Sequence, residues 1–163
     1  MTIEVVFLLG ILSLITSFKK YAGQNQFKHY IGTMYVATDG KTILGFITIS
    51  MAVLINDDIE DILKKRLPNY PLSVLKISRL AVDKKYQNLG IGKKLLKAML
   101  ELAIEQKSRT GCIGVVVDAK KEAVSFYKKL GFVRLQRDGQ LKKYQDFIAM
   151  FLPIKTIEQA YAK

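Results

Sequence analysis

Apolar and polar positions divide the chain into a succession of short runs. Thr33–Thr38 and Ile43–Ser50 are two β-rich runs across Asp39-Gly40, a pair that predicts a hairpin. Ahead of them, Val5–Ile15 is almost wholly apolar but well short of the ~20 residues a membrane-spanning helix needs. Glu4 stands where an export leader would be basic, and no small-x-small cleavage site follows. The expectation for Val5–Ile15 is therefore a helix buried against a sheet or in a subunit contact. Ser17–Tyr30 reads as a basic, mostly polar helix with apolar spots at Phe18, Tyr21 and Phe27. Asn56–Arg66 reads as a short helix, acidic early and basic late as the helix dipole prefers, and stopped by Pro68 and Pro71.

The second half is more regular. Val74–Val82 is an apolar, strand-like run ending at Asp83. Ile91–Gln106 places Ile91, Leu95, Met99 and Leu102 on one face, with Lys93, Lys94, Lys97, Glu101 and Glu105 pointing away, which predicts an amphipathic helix. Gly111 marks a turn into Cys112–Val117, apolar and β-branched enough for a central strand. Lys120–Leu130 reads as a helix stopped by Gly131, and Phe132–Leu135 and Phe147–Pro153 as two last strands. There are no repeats or low-complexity linkers. The sum is one α+β domain over residues 1–163, with helices packed on a mixed sheet.

Composition sharpens this picture in three respects. The 163 residues suffice for one domain with a substantial core. Lys and Arg number 26 against 14 Asp and Glu, a net charge of +12, and between Lys76 and Lys143 there are 17 basic and 6 acidic residues. Such a field either keeps a surface solvated or attracts a polyanion, a phosphate-rich cofactor or nucleic acid. Cys112 is the one cysteine, so the chain has no internal disulfide, and a small buried apolar role in a reducing, cytoplasmic compartment fits it. One histidine, His29, makes no multi-ligand metal site, and no Cys/His spacing suggests zinc; its expected place is on the surface or at a cap.

The candidate chemistry begins where the Val74–Val82 run ends. Gln87-Asn88-Leu89-Gly90-Ile91-Gly92-Lys93 joins a strand to a helix, an order that puts unpaired N–H groups at a helix N-terminus where the dipole favours an anion. Gly90 and Gly92 lack a Cβ, so a phosphate oxygen can approach the main chain, and Asn88 tolerates the left-handed conformation. A plain strand-to-helix turn with two incidental glycines is the alternative.

A second segment decides between them. Arg79-Leu-Ala-Val-Asp83, Tyr86-Gln-Asn-Leu-Gly-Ile-Gly92, Val117-Asp-Ala119 and Ser125-Phe-Tyr-Lys-Lys-Leu-Gly-Phe132 together resemble the GNAT superfamily of N-acetyltransferases, over about Leu75–Leu135. The resemblance implies a GNAT-type, mostly antiparallel central sheet flanked by helices, and acetyl-CoA as co-substrate with no metal. It implies that Gln87, Asn88, Leu89, Gly90, Ile91, Gly92 and Lys93 hold the CoA pyrophosphate through backbone N–H groups. Leu80, Ala81 and Val82 would run along the pantetheine arm, with the Val82 N–H polarising the thioester carbonyl. Lys129 would reach the ribose phosphate. Tyr127 would face the departing sulfur as a hydrogen-bonding acid, its alternative being a core aromatic on a helix, while Phe126 is expected to pack. A free tyrosine at pKa ~10 and a thiol at ~8.5 make complete proton transfer uphill by about 2 kcal/mol.

A narrower resemblance covers Phe18–Gln26, Thr33–Ala37, Gly45–Ser50 and Ile77–Asp83, and is to the bacterial GNAT toxins of toxin–antitoxin pairs. That subgroup acetylates the α-amino group of aminoacyl-tRNA and blocks translation. It implies tRNA and a ribbon-helix-helix antitoxin as partners, often a homodimer, and no membrane. Two features of the residues agree. The basic excess suits a nucleic-acid backbone, and no obvious general base is present. An α-amine at pKa ~7.7–8 is substantially neutral near pH 7, whereas a lysine at ~10.4 needs a base. Asp118 is the one acidic residue expected at a strand end near the motif, where a turn or cap role suits it. The greasy Val5–Ile15 departs from the polar opening of the subgroup. A GNAT enzyme acting on a small amine or a protein N-terminus, and a non-catalytic RNA-binding protein of the same fold, are the alternatives.

Overall fold

The computed structural model describes residues 3–7, 32–55, 68, 70–135 and 146–162. The helices expected over Ser17–Tyr30 and Asn56–Arg66, and His29, lie outside them. Among the described residues, seven strands form a sheet in the order β1-β2-β3-β4-β5-β7-β6. They are β1 (Glu4–Phe7), β2 (Thr33–Thr38), β3 (Ile43–Leu54), β4 (Leu72–Val82), β5 (Gly114–Lys120), β6 (Val133–Arg134) and β7 (Phe147–Pro153). The helices are α1 (Ile91–Arg109), α2 (Val124–Lys129) and α3 (Ile154–Tyr161). The β1–β2, β2–β3, β5–β7 and β6–β7 pairings are antiparallel, as the α+β reading expects. The chain divides into two compact units, Met1–Ser50 with Ile77–Glu101, and Met51–Lys76 with Leu102–Lys163.

In the first unit the hairpin forms where Asp39-Gly40 predicts it. The Asp39 carboxylate accepts from the backbone N–H groups of Lys41 (3.0 Å) and Thr42 (2.7 Å), which holds its pKa below the ordinary value. The buried Thr38 hydroxyl closes the turn by donating to the Thr42 carbonyl at 2.9 Å. One expectation is overturned here. The start of the apolar N-terminal run is not a helix: Glu4–Phe7 pairs with β2 in register from Glu4↔Thr38 to Phe7↔Tyr35. Val5 and Val6 are β-branched and favour extended backbone, and β2 offers its second edge for pairing. Residues 8–15 lie outside the described part. On α1 the predicted apolar face is buried at Ile91, Leu95, Leu96 and Met99, whereas Lys93, Lys94 and Lys97 are exposed.

In the second unit Leu54, Val74, Val116, Leu135, Ala149 and Phe151 form a buried cluster. The strand expected over Cys112–Val117 begins two residues later, at Gly114, and runs on to Lys120. It pairs with β7 from Gly114↔Pro153 to Lys120↔Phe147. Cys112 lies just before it, buried as expected, its thiol donating to the Gly114 carbonyl at 3.3 Å. The Lys120–Leu130 stretch splits into a 3-10 turn, Lys121–Ala123, and α2, and Gly131 ends it at φ +91°. The expected Phe132–Leu135 strand is reduced to Val133–Arg134. α3 is an element the periodicity reading does not contain. It follows β7 directly, buries Ile154 and Ile157 one turn apart, and is tied to α1 by the Lys107–Glu158 ion pair.

Candidate active site

Ten of the predicted binding residues, Leu80–Val82 and Gln87–Lys93, fall in the first unit, on the end of β4, the loop after it and the start of α1. The Asp83 N–H donates to the Leu44 carbonyl on β3 at 2.9 Å. Successive residues of a strand present their backbone groups to opposite edges, so the N–H groups of Val82 and Leu80 point away from β3 while Ala81 faces it. β3 approaches this end closely because position 45 is glycine. A Cβ there would lie 2.7 Å from the Ala81 carbonyl oxygen and 3.2 Å from the Val82 Cα, too near for any side chain without moving β4. A glycine interrupting an apolar strand is the sequence signal of such close backbone approach.

Beyond Val82 the chain turns through a 3-10 segment, Lys84–Tyr86, capped by the Asp83 carboxylate accepting from the Lys85 N–H at 2.9 Å. Asn88 (φ +64°) and Gly90 (φ +78°) adopt the left-handed conformation expected of them, and Gly92 lies within α1. The first helical bond of α1 runs from the Lys94 N–H to the Gly90 carbonyl at 3.0 Å, which leaves the N–H groups of Gly90, Ile91, Gly92 and Lys93 without intrahelical acceptors. A Cβ on Gly90 would meet nothing within 4 Å, so the backbone here lies open. Asn88, Leu89 and Lys93 are exposed, while Ile91 anchors the helix start in the core at 1 % exposure. These residues fit a pyrophosphate: open N–H groups at a helix start, with exposed lysines beside them. Gln87 differs from the expectation in detail, for its side chain turns back and donates to the Val82 carbonyl at 3.2 Å.

Tyr127 and Lys129 belong to the second unit, on α2. Tyr127 is the one residue of that helix that is buried, at 5 % exposure. Its ring meets Phe126 edge-on at 5.1 Å between centroids and Phe132 at 5.3 Å. Burial disfavours the phenolate and pushes the hydroxyl up to about 12. Lys129 is exposed at the end of the helix. Asp118 is not at a strand end as expected: it sits within β5, and its carboxylate pairs with Lys76 Nζ at 2.8 Å, each about one-third exposed. Among the described residues no cluster of three or more His, Cys, Asp or Glu side chains is placed to hold a metal ion, and no helix is long and apolar enough to cross a membrane.

The model of the acetyltransferase (GNAT) domain matches residues 10–152, most of the chain. The chain belongs to the GNAT family. Within it, a tRNA-acetylating toxin of Mycobacterium tuberculosis is 30% identical over 95 residues, 58% of this chain and 56% of the toxin. The chain spans about half the length of the curated relatives it matches. Among solved structures, a tyrosine-to-phenylalanine mutant of KacT has a TM-score of 0.80 at 22% identity. AtaT complexed with acetyl-methionyl-tRNAfMet has a TM-score of 0.80 at 20% identity. Each covers 98% of this chain and 99% of its own, which establishes the GNAT fold over the whole length.

Proposed function

We propose that this GNAT chain acts as one domain, an acetyl-CoA-dependent N-acetyltransferase and toxin that acetylates the α-amino group of aminoacyl-tRNA in the cytoplasm and so blocks translation. The observation that carries the reading is the likeness along the whole chain to AtaT, whose structure holds acetyl-methionyl-tRNAfMet. The local likeness to a tRNA-acetylating toxin and the net charge of +12 support it. AtaT is also bound by the C-terminus of the antitoxin AtaR. A ribbon-helix-helix antitoxin and a second copy of the chain are the protein partners we assign.

In the reaction the amine nitrogen attacks the thioester carbonyl carbon. A C–N bond forms and the C–S bond breaks, and the amine loses a proton while the sulfur gains one, leaving an amide and free CoA thiol. The N–H groups of Gly90–Lys93 receive the pyrophosphate, and Lys129 the ribose phosphate. The edge of β4 presented by Leu80 and Val82 takes the pantetheine arm, and the Val82 N–H receives the carbonyl oxygen as it gains negative charge. Tyr127 donates to the sulfur. With its hydroxyl at about 12 and a thiol at ~8.5, a completed transfer would be uphill by about 5 kcal/mol, so the phenol acts through a hydrogen bond whose proton moves only as the C–S bond opens. The α-amine needs no protein base near neutral pH, which agrees with Asp118 being engaged by Lys76.

The test is incubation of the purified chain with radiolabelled acetyl-CoA and charged total tRNA, with deacylated tRNA as control. Label on charged tRNA alone is the expected result. Label on polyamines or peptide N-termini but not on charged tRNA would move the assignment to a small-amine or protein N-terminal acetyltransferase. tRNA binding without any turnover would make the chain a non-catalytic RNA-binding protein.

A further inference from the structure

Two groups on one edge of β4 have opposite effects on a developing negative charge. The N–H and C=O of a strand residue point to the same edge, so the Val82 carbonyl oxygen stands beside the Val82 N–H, facing away from β3. An oxyanion held by that N–H would be repelled by the carbonyl dipole next to it. The structure places a donor against that carbonyl: Gln87 Nε2 lies 3.2 Å from the Val82 oxygen, reaching back across the 3-10 turn. The surrounding bonds fix the residue after Val82, and the Gln87 amide reaches Val82 itself. The Asp83 N–H donates to the Leu44 carbonyl at 2.9 Å, the Asp83 carbonyl accepts from the Tyr86 N–H at 2.9 Å, and the Asp83 carboxylate caps Lys85.

We propose that Gln87 is a positioning residue for acetyl transfer. Its side-chain amide holds the Val82 carbonyl, fixes the direction of the adjacent N–H, and offsets the carbonyl dipole that would oppose an oxyanion there. Gln87 thereby couples the phosphate-binding loop, of which it is the first residue, to the polarising end of β4. The inference rests on the assignment of the Val82 N–H as the oxyanion donor. It assigns the Gln87 side chain to the strand end and leaves the pyrophosphate to backbone groups, so loss of that side chain lowers turnover while acetyl-CoA affinity stays the same. Because the donor is uncharged, its contribution is little screened by salt.

The decisive measurement is isotope-edited infrared spectroscopy of acetyl-CoA labelled with 13C at the thioester carbonyl, bound at saturation to the full chain. In the wild type the carbonyl band moves to lower frequency on binding. In Gln87→Leu and Gln87→Glu most of that displacement is lost, and in Gln87→Arg, which restores N–H donors at similar reach, it returns. The charged variants are compared by their band at saturation. In Gln87→Leu, which adds no charge beside the phosphates, acetyl-CoA Kd stays within about twofold and turnover on charged tRNA falls about tenfold. That loss is smaller than the ~10²–10³ seen when an oxyanion donor itself is removed, because Gln87 acts through Val82. Gln87 is exposed, so these variants keep the fold. An unaltered band and turnover in Gln87→Leu, or a rise in Kd with turnover at saturation intact, would overturn the inference. A wild-type chain that binds acetyl-CoA without displacing the band would overturn the role given to Val82 instead, whichever amine is the acceptor.

Discussion

Tyr127 packs in the core and is the acid proposed for the sulfur, and its environment sets how far it could serve both. The ring is held between Phe126 and Phe132, and the same burial that holds it raises the hydroxyl to about 12. A stiffly held, fully protonated phenol is a weak acid but a constant hydrogen-bond donor across the physiological range. Tyr127→Phe keeps the edge-to-face contacts and removes the donor. Turnover is expected to fall ~10²-fold or more while acetyl-CoA Kd changes less than about twofold, as read by single-turnover kinetics and calorimetry. The raised pKa also has a signature in stability. Below pH 10 the phenol is protonated in both folded and unfolded chains and contributes no pH dependence. Between 10 and about 12 only the unfolded chain loses the proton, so stability falls as pH rises. At pH 11 the wild type should have lost about 1.4 kcal/mol relative to Tyr127→Phe, compared with their difference at pH 9. Urea melts of the two chains at those pH values check it, and parallel curves would show the hydroxyl to be solvated.

Among the elements, the close approach of β3 to β4 at Gly45 sets where Val82 stands. An alanine there puts Cβ 2.7 Å from the Ala81 carbonyl oxygen, a backbone atom that cannot rotate aside. Gly45→Ala is expected to destabilise by about 1–3 kcal/mol and, on the site proposed, to weaken acetyl-CoA binding several-fold, since β4 must shift where the pantetheine arm would lie. Gly92→Ala is the contrast in stability, though its methyl group would also crowd the proposed phosphate. Its Cβ would meet only the Val82 Cγ2, at 3.7 Å, in a helix that gains about 0.5–1 kcal/mol from the change. Denaturant midpoints with calorimetric Kd values separate the two. The same region shows what the sequence makes readable. The Val82 to Lys94 segment carries its own instructions: β-branched strand, left-handed Asn88 and Gly90, then a 3.6-residue apolar period. Each agrees with its neighbours, and the structure follows them. β1 is different, because an unbroken apolar run has no period to distinguish strand from helix, and a pairing edge decided it. α3 is hidden by its shortness: Ile154 and Ile157 are two apolar positions directly after an apolar strand, so the change of period is not visible. The Gln87 to Val82 bond is a tertiary detail with no sequence pattern of its own, although both residues fell within the predicted site.

For the molecule as a whole, the charge distribution would separate acetyl-CoA and tRNA, the substrates proposed above, by their response to salt. Lys84, Lys85, Lys93 and Lys94 are exposed around the loop of the first unit, and Lys120, Lys128, Lys129 and Arg134 are exposed in the second. On that proposal acetyl-CoA offers a few phosphates to the N–H groups of one loop, whereas tRNA offers a continuous backbone that would meet many lysines at once. Each phosphate contact to nucleic acid releases counterions, giving a slope of about −0.7 to −0.9 in log K against log salt per contact. The KM for charged tRNA should therefore rise steeply between 50 and 200 mM salt, on the order of 10²-fold or more if six or so contacts form, while that for acetyl-CoA rises far less. Replacing Lys84 and Lys85 together by alanine lies outside the chemistry proposed for Val82 and Tyr127. If both touch phosphate, the variant should lower the tRNA slope by about 1.4–1.8 and leave turnover at saturating tRNA unchanged. Filter binding and initial rates across a salt series measure both quantities. A tRNA slope near zero would mean that the +12 charge serves another partner, and it would remove the nucleic-acid backbone from the recognition even if the aminoacyl amine were still acetylated.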